Sequence, residues 1–146
     1  MRFKLISVGR KRADPASPLV NDYLARIAKF VSMDDLVLKP DSDQRIAARM
    51  LKESKKSTVL VAMDERGKEH TSHSFAKLIS SWMNDGISEV TFFIGGSDGL
   101  PKEITARATL RLALSKMTLP HRLARLVLAE QIYRAFCIVR GVPYQK

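Results

Sequence analysis

Three short segments carry residues that can build a ligand site. The first is Gly95-Gly96-Ser97-Asp98-Gly99-Leu100, directly after the apolar run Val90 to Ile94. Glycine accepts positive φ and lets a backbone approach a ligand closely. The segment lacks the Gly-Lys-Ser/Thr ending of a phosphate loop and the glycine spacing of the dinucleotide fingerprint. Asp98 would repel a phosphate, so this loop favours a ligand without one. The second segment is Leu114-Ser115-Lys116-Met117-Thr118-Leu119, followed by Pro120-His121. The third begins at Asp64, after the apolar run Val59 to Met63. Open α/β sheets bind ligands at the carboxyl ends of their strands. The three segments are therefore candidate walls of one pocket.

Charge supplies the second kind of chemistry. Lys plus Arg number 25 against 15 Asp plus Glu, a formal net of +10. Such a surface concentrates polyanions, and nucleic acid is the natural partner. Arg107, Arg111, Lys116, Arg122, Arg125, Arg134 and Arg140 all fall in the last 40 residues, where acids are scarce. That pattern reads as a concentrated basic region. Glu130 stands among apolar residues, an unusual place for a carboxylate, and is expected to pair with an arginine at a subunit contact.

Alternating strands and helices must position these groups. Phe3–Val8, Leu36–Leu38, Thr58–Met63, Val90–Ile94 and Leu112–Ser115 read as strands. Leu19, Val20, Tyr23, Leu24, Ile27 and Phe30 recur at helical spacing, as do Ile46, Met50 and Leu51. Asp41, Ser42 and Asp43 offer caps for the second helix, and Ser72 or Ser74 for a third carrying Phe75, Leu78, Ile79 and Trp82. Asp64-Glu65-Arg66-Gly67 reads as a turn, and Pro101 suits the first turn of a short helix. A long helix covers about Arg122 to Val139. The order predicts an α/β fold: a mostly parallel sheet with helices on both faces, in one domain over residues 1–146. No apolar run is long enough to span a bilayer, and the start is not read as a signal peptide. The single cysteine, Cys137, allows no internal disulfide and fits a reducing cytoplasm.

Several of these segments, in order, resemble one family. Lys4-Leu5-Ile6-Ser7-Val8-Gly9, Val61-Ala62-Met63-Asp64 with Gly67-Lys68, Ile94 to Leu100, Leu112 to His121, and Arg125 to Ala135 are similar to the ribosomal large-subunit pseudouridine-N3 methyltransferases of the SPOUT type. The similarity runs over essentially the whole chain. It implies a deep carboxyl-terminal trefoil knot, which composition could not suggest. It implies a homodimer, S-adenosylmethionine (SAM) as cofactor without a metal, and 23S ribosomal RNA of the large subunit or assembled ribosome as partner. Carried onto this chain, the SAM site comprises Met63, Gly95, Leu114, Ser115, Lys116, Met117, Thr118 and Leu119. His121, Arg125 and Arg134 fall at RNA-contact positions, and Tyr144 is the catalytic candidate.

The tail departs from the family. Val142-Pro143-Tyr144-Gln145-Lys146 keeps the Pro-Tyr pair but lacks both histidines of the usual His-Pro-Tyr-His. Gln145 cannot act as a general base near neutral pH. Two other readings stand beside methylation: a relative that binds ribosomal RNA without methylating it, and an unrelated nucleotide-binding module.

Overall fold

The computed structural model describes residues 1–10 and 14–144. Lys11 and Arg12 of the amino-terminal basic run, and Gln145 and Lys146 of the tail, lie outside the described residues. The elements alternate as β1 (Arg2–Val8), α1 (Ser17–Ile27), β2 (Ser32–Leu38), α2 (Asp43–Glu53), β3 (Val59–Glu69), α3 (Ser72–Asn84), β4 (Glu89–Ile94), α4 (Lys102–Arg107), β5 (Leu110–Ala113) and α5 (His121–Arg140). The five strands form one sheet in the order β2-β1-β4-β3-β5. Every ladder is parallel.

Burial follows strand position. All six residues of β4 are buried, as a central parallel strand with both faces covered requires. The edge strand β2 carries Asp34 and Asp35 instead, and charge on an edge discourages pairing with another sheet. Phe3, Leu5, Val61 and Phe92 pack on one face against Ile27 of α1, Phe75, Ile79 and Trp82 of α3, and Leu128, Ile132 and Phe136 of α5. Ile6, Val8, Leu38 and Phe93 pack on the other against Ile46 and Met50 of α2 and Ile104 of α4. Phe3 is the hub of the larger core. Its ring lies 5.4 Å from Phe136, 5.6 Å from Phe92 and 6.3 Å from Trp82.

Local chemistry sets the helix ends. The Ser42 hydroxyl caps α2 by accepting from the Arg45 amide, 3.3 Å. Thr71, not Ser72 or Ser74, caps α3 by accepting from the Ser74 amide, 3.0 Å. Gly141 ends α5 at φ +66°, a conformation glycine adopts without steric cost, and the Val142 amide returns to the Cys137 carbonyl, 2.9 Å. The chain therefore doubles back after α5.

One expected turn is a bulge. Strand β3 runs on to Glu69, and both Met63 and Lys68 register with Leu112 of β5. Residues 64–67 are looped out between them. The fifth strand sits two residues earlier than its sequence pattern predicts, at Leu110–Ala113, because it pairs with both halves of β3. Gly67 is required there: a Cβ would lie 2.6 Å from the Arg111 carbonyl carbon and oxygen. Replacing Gly67 with Ala should destabilise the fold by about 1–3 kcal/mol, the usual cost of overpacking. Urea unfolding checks this; an unchanged midpoint would show that the bulge is soft.

Candidate cofactor and nucleic-acid site

Strand β5 ends at Ala113 on one edge of the sheet, while α5 begins at His121 beside Gly9 at the end of β1. A Cβ on Gly9 would sit 3.4 Å from His121 Nε2. Three strand spacings, about 14 Å, separate β5 from β1. The seven residues 114–120 can reach at most about 24 Å. The shortest route crosses the carboxyl ends of β3 and β4, and Gly95 directly follows β4.

The crossing loop is tied to the β3 bulge. Thr118 donates to the Glu65 carboxylate. Lys116 Nζ lies 3.7 Å from Glu69. Ser115 Oγ accepts from the Met117 amide, 3.0 Å. Beneath the bulge, Arg111 reaches Asp64 Oδ2 at 2.5 Å. Burial alone would raise the Asp64 carboxyl. The Arg66 amide and the bond and charge of Arg111 outweigh it and hold the group below the ordinary carboxylate range. Met63 and Leu114 are half-buried against the core, whereas Met117 is 78% exposed. The structure thus gathers Met63, Gly95 and residues 114–119 at one end of the sheet.

Gly95 is constrained by its own loop. A Cβ there would lie 2.3 Å from the Gly99 carbonyl carbon and 2.5 Å from the Leu100 nitrogen. Gly99 adopts φ +79° and its amide bonds the Gly96 carbonyl, 3.0 Å. The loop is a tight turn folded back on Gly95.

Two hollows flank the crossing loop. One, of about 210 Å³, lies between Gly9, Asp43, the Gly96–Gly99 turn and His121. The other, of about 220 Å³, lies among His70, Phe75, Leu114, Val127 and Gln131. Burial, and then the charge of Arg122, push the His121 imidazole below its ordinary value; Asp14 opposes them, and Arg125 adds a smaller push in the same downward direction. The shift favours the neutral imidazole at His121.

The basic cluster is not a free cationic surface. Arg111 pairs with Asp64, Arg122 with Asp14 at 3.6 Å, and Arg125 with Asp35 at 2.6 Å. Arg134 binds Glu130 one helical turn back, 2.6 Å, and Arg107 approaches Glu103, 3.6 Å. Acids scarce in the local sequence arrive from other elements. This corrects the expectation of a concentrated basic region. Arg125 is mostly buried in its pair, so it docks α5 onto β2 before it can meet RNA.

Tyr144 is held in place. Its hydroxyl donates to Glu130, 2.9 Å, and lies 3.3 Å from the Tyr23 hydroxyl. Its ring packs edge-on against Tyr133, 4.8 Å, beneath the Arg134 guanidinium, 4.6 Å. Burial, then the bonds to Tyr23 and Glu130, push its pKa up. The phenol is a donor here, not a base. Glu130 pairs within its own helix and accepts from Gln131 as well, 2.8 Å. Glu65, Asp35 and Tyr23 escaped the sequence reading. Their partners stand 53, 90 and 121 residues away, and no local pattern signals such contacts.

A family model described as "Predicted SPOUT methyltransferase" matches residues 1–145. The chain belongs to the SPOUT methyltransferase family. Curated relatives named "Ribosomal RNA large subunit methyltransferase H" include one from Anaeromyxobacter dehalogenans, 42% identical over the full length of both chains. Another, from Sorangium cellulosum, is 39% identical over 99% of each. Among solved structures, a "probable methylase family protein" from Haemophilus influenzae matches with a TM-score of 0.62 at 11% identity, covering 99% of this chain and 70% of that one. A Legionella pneumophila chain solved with bound SAM matches with a TM-score of 0.53 at 11% identity, over 92% of this chain and 66% of that one. These distant likenesses show a shared α/β fold.

Two outcomes follow for this SPOUT chain. Gly95→Ala should open the Gly96–Gly99 turn and weaken SAM binding at least tenfold by calorimetry, with a folded circular-dichroism spectrum; unchanged affinity would remove Gly95 from the site. His121 should titrate below 6.5 by NMR. Its folded value is depressed, so the unfolded chain binds more protons and stability falls as pH drops through that window. His70, also depressed by burial and then by Lys68, acts in the same direction. Replacing both by Gln should flatten the loss; an unaltered pH–stability curve would contradict the assignment.

Proposed function

We propose that this chain is a SAM-dependent 23S ribosomal RNA methyltransferase acting on N3 of a pseudouridine in the large subunit. Full-length similarity to proteins named for that class of reaction carries the reading. The local geometry supports it. Met63, Leu114 and Leu119 offer apolar surface, and residues 114–119 offer backbone N–H and C=O groups at the tip of β4. That is the donor set an adenosyl group takes: apolar contact on the ring faces and hydrogen bonds at its edges. No phosphate-binding loop competes, and Asp98 in the glycine turn favours a cationic sulfonium over an anion. When bound, SAM supplies an electrophilic methyl group.

This chain's residues then hold and deprotonate the base. Methylation at N3 forms an N–CH₃ bond, breaks the S–CH₃ bond and releases the imide proton. A neutral His121 beside the Gly96–Gly99 turn is a suitable acceptor. Positioning lowers most of the remaining barrier.

The working unit in this reading is a cytoplasmic homodimer of a single knotted domain. The passage of 114–120 over the strand ends supports a knot at that loop. Leu123 and Val127, one turn apart on α5, stay 46% and 37% exposed and suit an apolar contact with a second copy. No helix among the described residues is long and apolar enough to cross a membrane. Tyr144 packs on Glu130, nine residues along α5 from His121, or about 13 Å of axis. Its action at the base therefore rests on the second copy or on release of the tail.

Methyl transfer from labelled SAM to ribosomes whose target pseudouridine is unmethylated tests the proposal. One methyl per large subunit, located at N3 by mass spectrometry, is expected. Tyr144→Ala should slow single turnover at least tenfold, and Tyr144→Phe should match it if the hydroxyl is what acts. SAM and RNA binding without transfer would overturn the enzymatic reading.

A further inference from the structure

The hollow bounded by Gly9, Asp43 and the Gly96–Gly99 turn has a lining unlike that of a phosphate site. Asp41, Asp43 and Asp98 all line it, and three acidic residues disfavour a phosphate. Val8, Ile46 and Pro101 supply apolar surface, and Arg10 and Arg122 stand on the lining as well. Such a set suits an uncharged flat ring that donates N–H groups on one side and offers carbonyl oxygens on another. A volume of about 210 Å³ leaves room for one ring rather than a string of nucleotides.

Its place beside the cofactor loops gives the ring an orientation. One wall is the turn folded onto Gly95, and another is His121, directly after the crossing loop. The opposite wall is Pro40 to Asp43 at the start of α2. A ring whose reacting nitrogen faces the first two walls presents a different edge to the third. Of the two carboxylates there, Asp41 accepts from the Ser42 amide, 2.7 Å, and approaches Arg45, 3.7 Å. Asp43 makes no hydrogen bond or ion pair among the described residues. It stands in the first turn of α2, and a carboxylate there is an acceptor without a donor to satisfy it.

We propose that this hollow takes the ring of the target pseudouridine, and that the Asp43 carboxylate accepts the N1–H by which pseudouridine differs from uridine. The inference rests on the methyltransferase reading above. In uridine, N1 carries the ribose and has no hydrogen. In pseudouridine the ribose is on carbon, and N1–H is free to donate. A carboxylate facing N1 rewards one isomer and gains nothing from the other. Asp43 is open to water, so the reward is that of a single charged hydrogen bond, about 10–100-fold in rate constant.

The test compares two ribosome substrates, one with pseudouridine at the target and one prepared from cells lacking the synthase, with uridine there. Wild type should show a higher kcat/KM on the pseudouridine ribosome. Asp43→Ala should lose about 10–100-fold on that substrate alone, so the preference collapses. SAM affinity by calorimetry should stay within about twofold. Asp41→Ala removes an equal charge next door and should keep the preference. A retained preference in Asp43→Ala, an equal loss on both substrates, or a collapse in Asp41→Ala too would overturn the inference while leaving the methyltransferase reading intact. No transfer to either ribosome by wild type would overturn that reading, and this inference with it.

Discussion

A seven-residue loop tied down at both ends governs this structure. Residues 114–120 leave the sheet at its β5 edge and must reach β1, where α5 begins. The shortest route between them passes the tips of β3 and β4. The Glu65 and Glu69 contacts hold one end of it to the β3 bulge. The Gly96–Gly99 turn can fold back onto Gly95 because Gly95 has no Cβ. Candidate cofactor residues from three separate segments meet for this reason alone. Loosening either anchor would disperse them.

Helix α5 provides the second anchor, and its charges serve that role. Arg125 crosses to Asp35 on the far edge strand, and Arg122 reaches Asp14 ahead of α1. Leu128, Ile132 and Phe136 bury the underside against Phe3 and the core. Exposed ion pairs add little stability, but the Arg125–Asp35 pair is largely shielded and directional, so it selects how the helix lies. The same helix carries the Glu130–Arg134–Tyr144 group on another side. One element thereby sets both the mouth of the hollow at His121 and the seat of the tail.

The tail shows how a lost residue changes the question rather than the answer. Without histidines beside Pro143 and Tyr144, the described tail offers only a phenol with a raised pKa. A neutral imidazole is present instead at His121, kept so by burial and two arginines. His121 opens α5 and Tyr144 follows its end, so the imidazole and the phenol stand at opposite parts of this helix.

The sequence by itself determined the layered α/β architecture. Period-two and continuous apolar runs such as Val90–Ile94 can be satisfied only inside a covered parallel sheet, and that constraint is local. It also determined the family and the three ligand-bearing segments, since their order along the chain is visible without folding. It misjudged Asp64 to Gly67 as a turn, because a bulge depends on the partner strand. It read the last 40 residues as a concentrated basic region and did not see that Asp64, Asp14 and Asp35 reach Arg111, Arg122 and Arg125 across the fold. Only the tertiary structure decided which carboxylates remain unpaired, whether Tyr144 is held, and that the Gly95 loop folds on itself. Each of these depends on contacts between residues distant in the chain, and charge and spacing along a sequence do not encode distance in space.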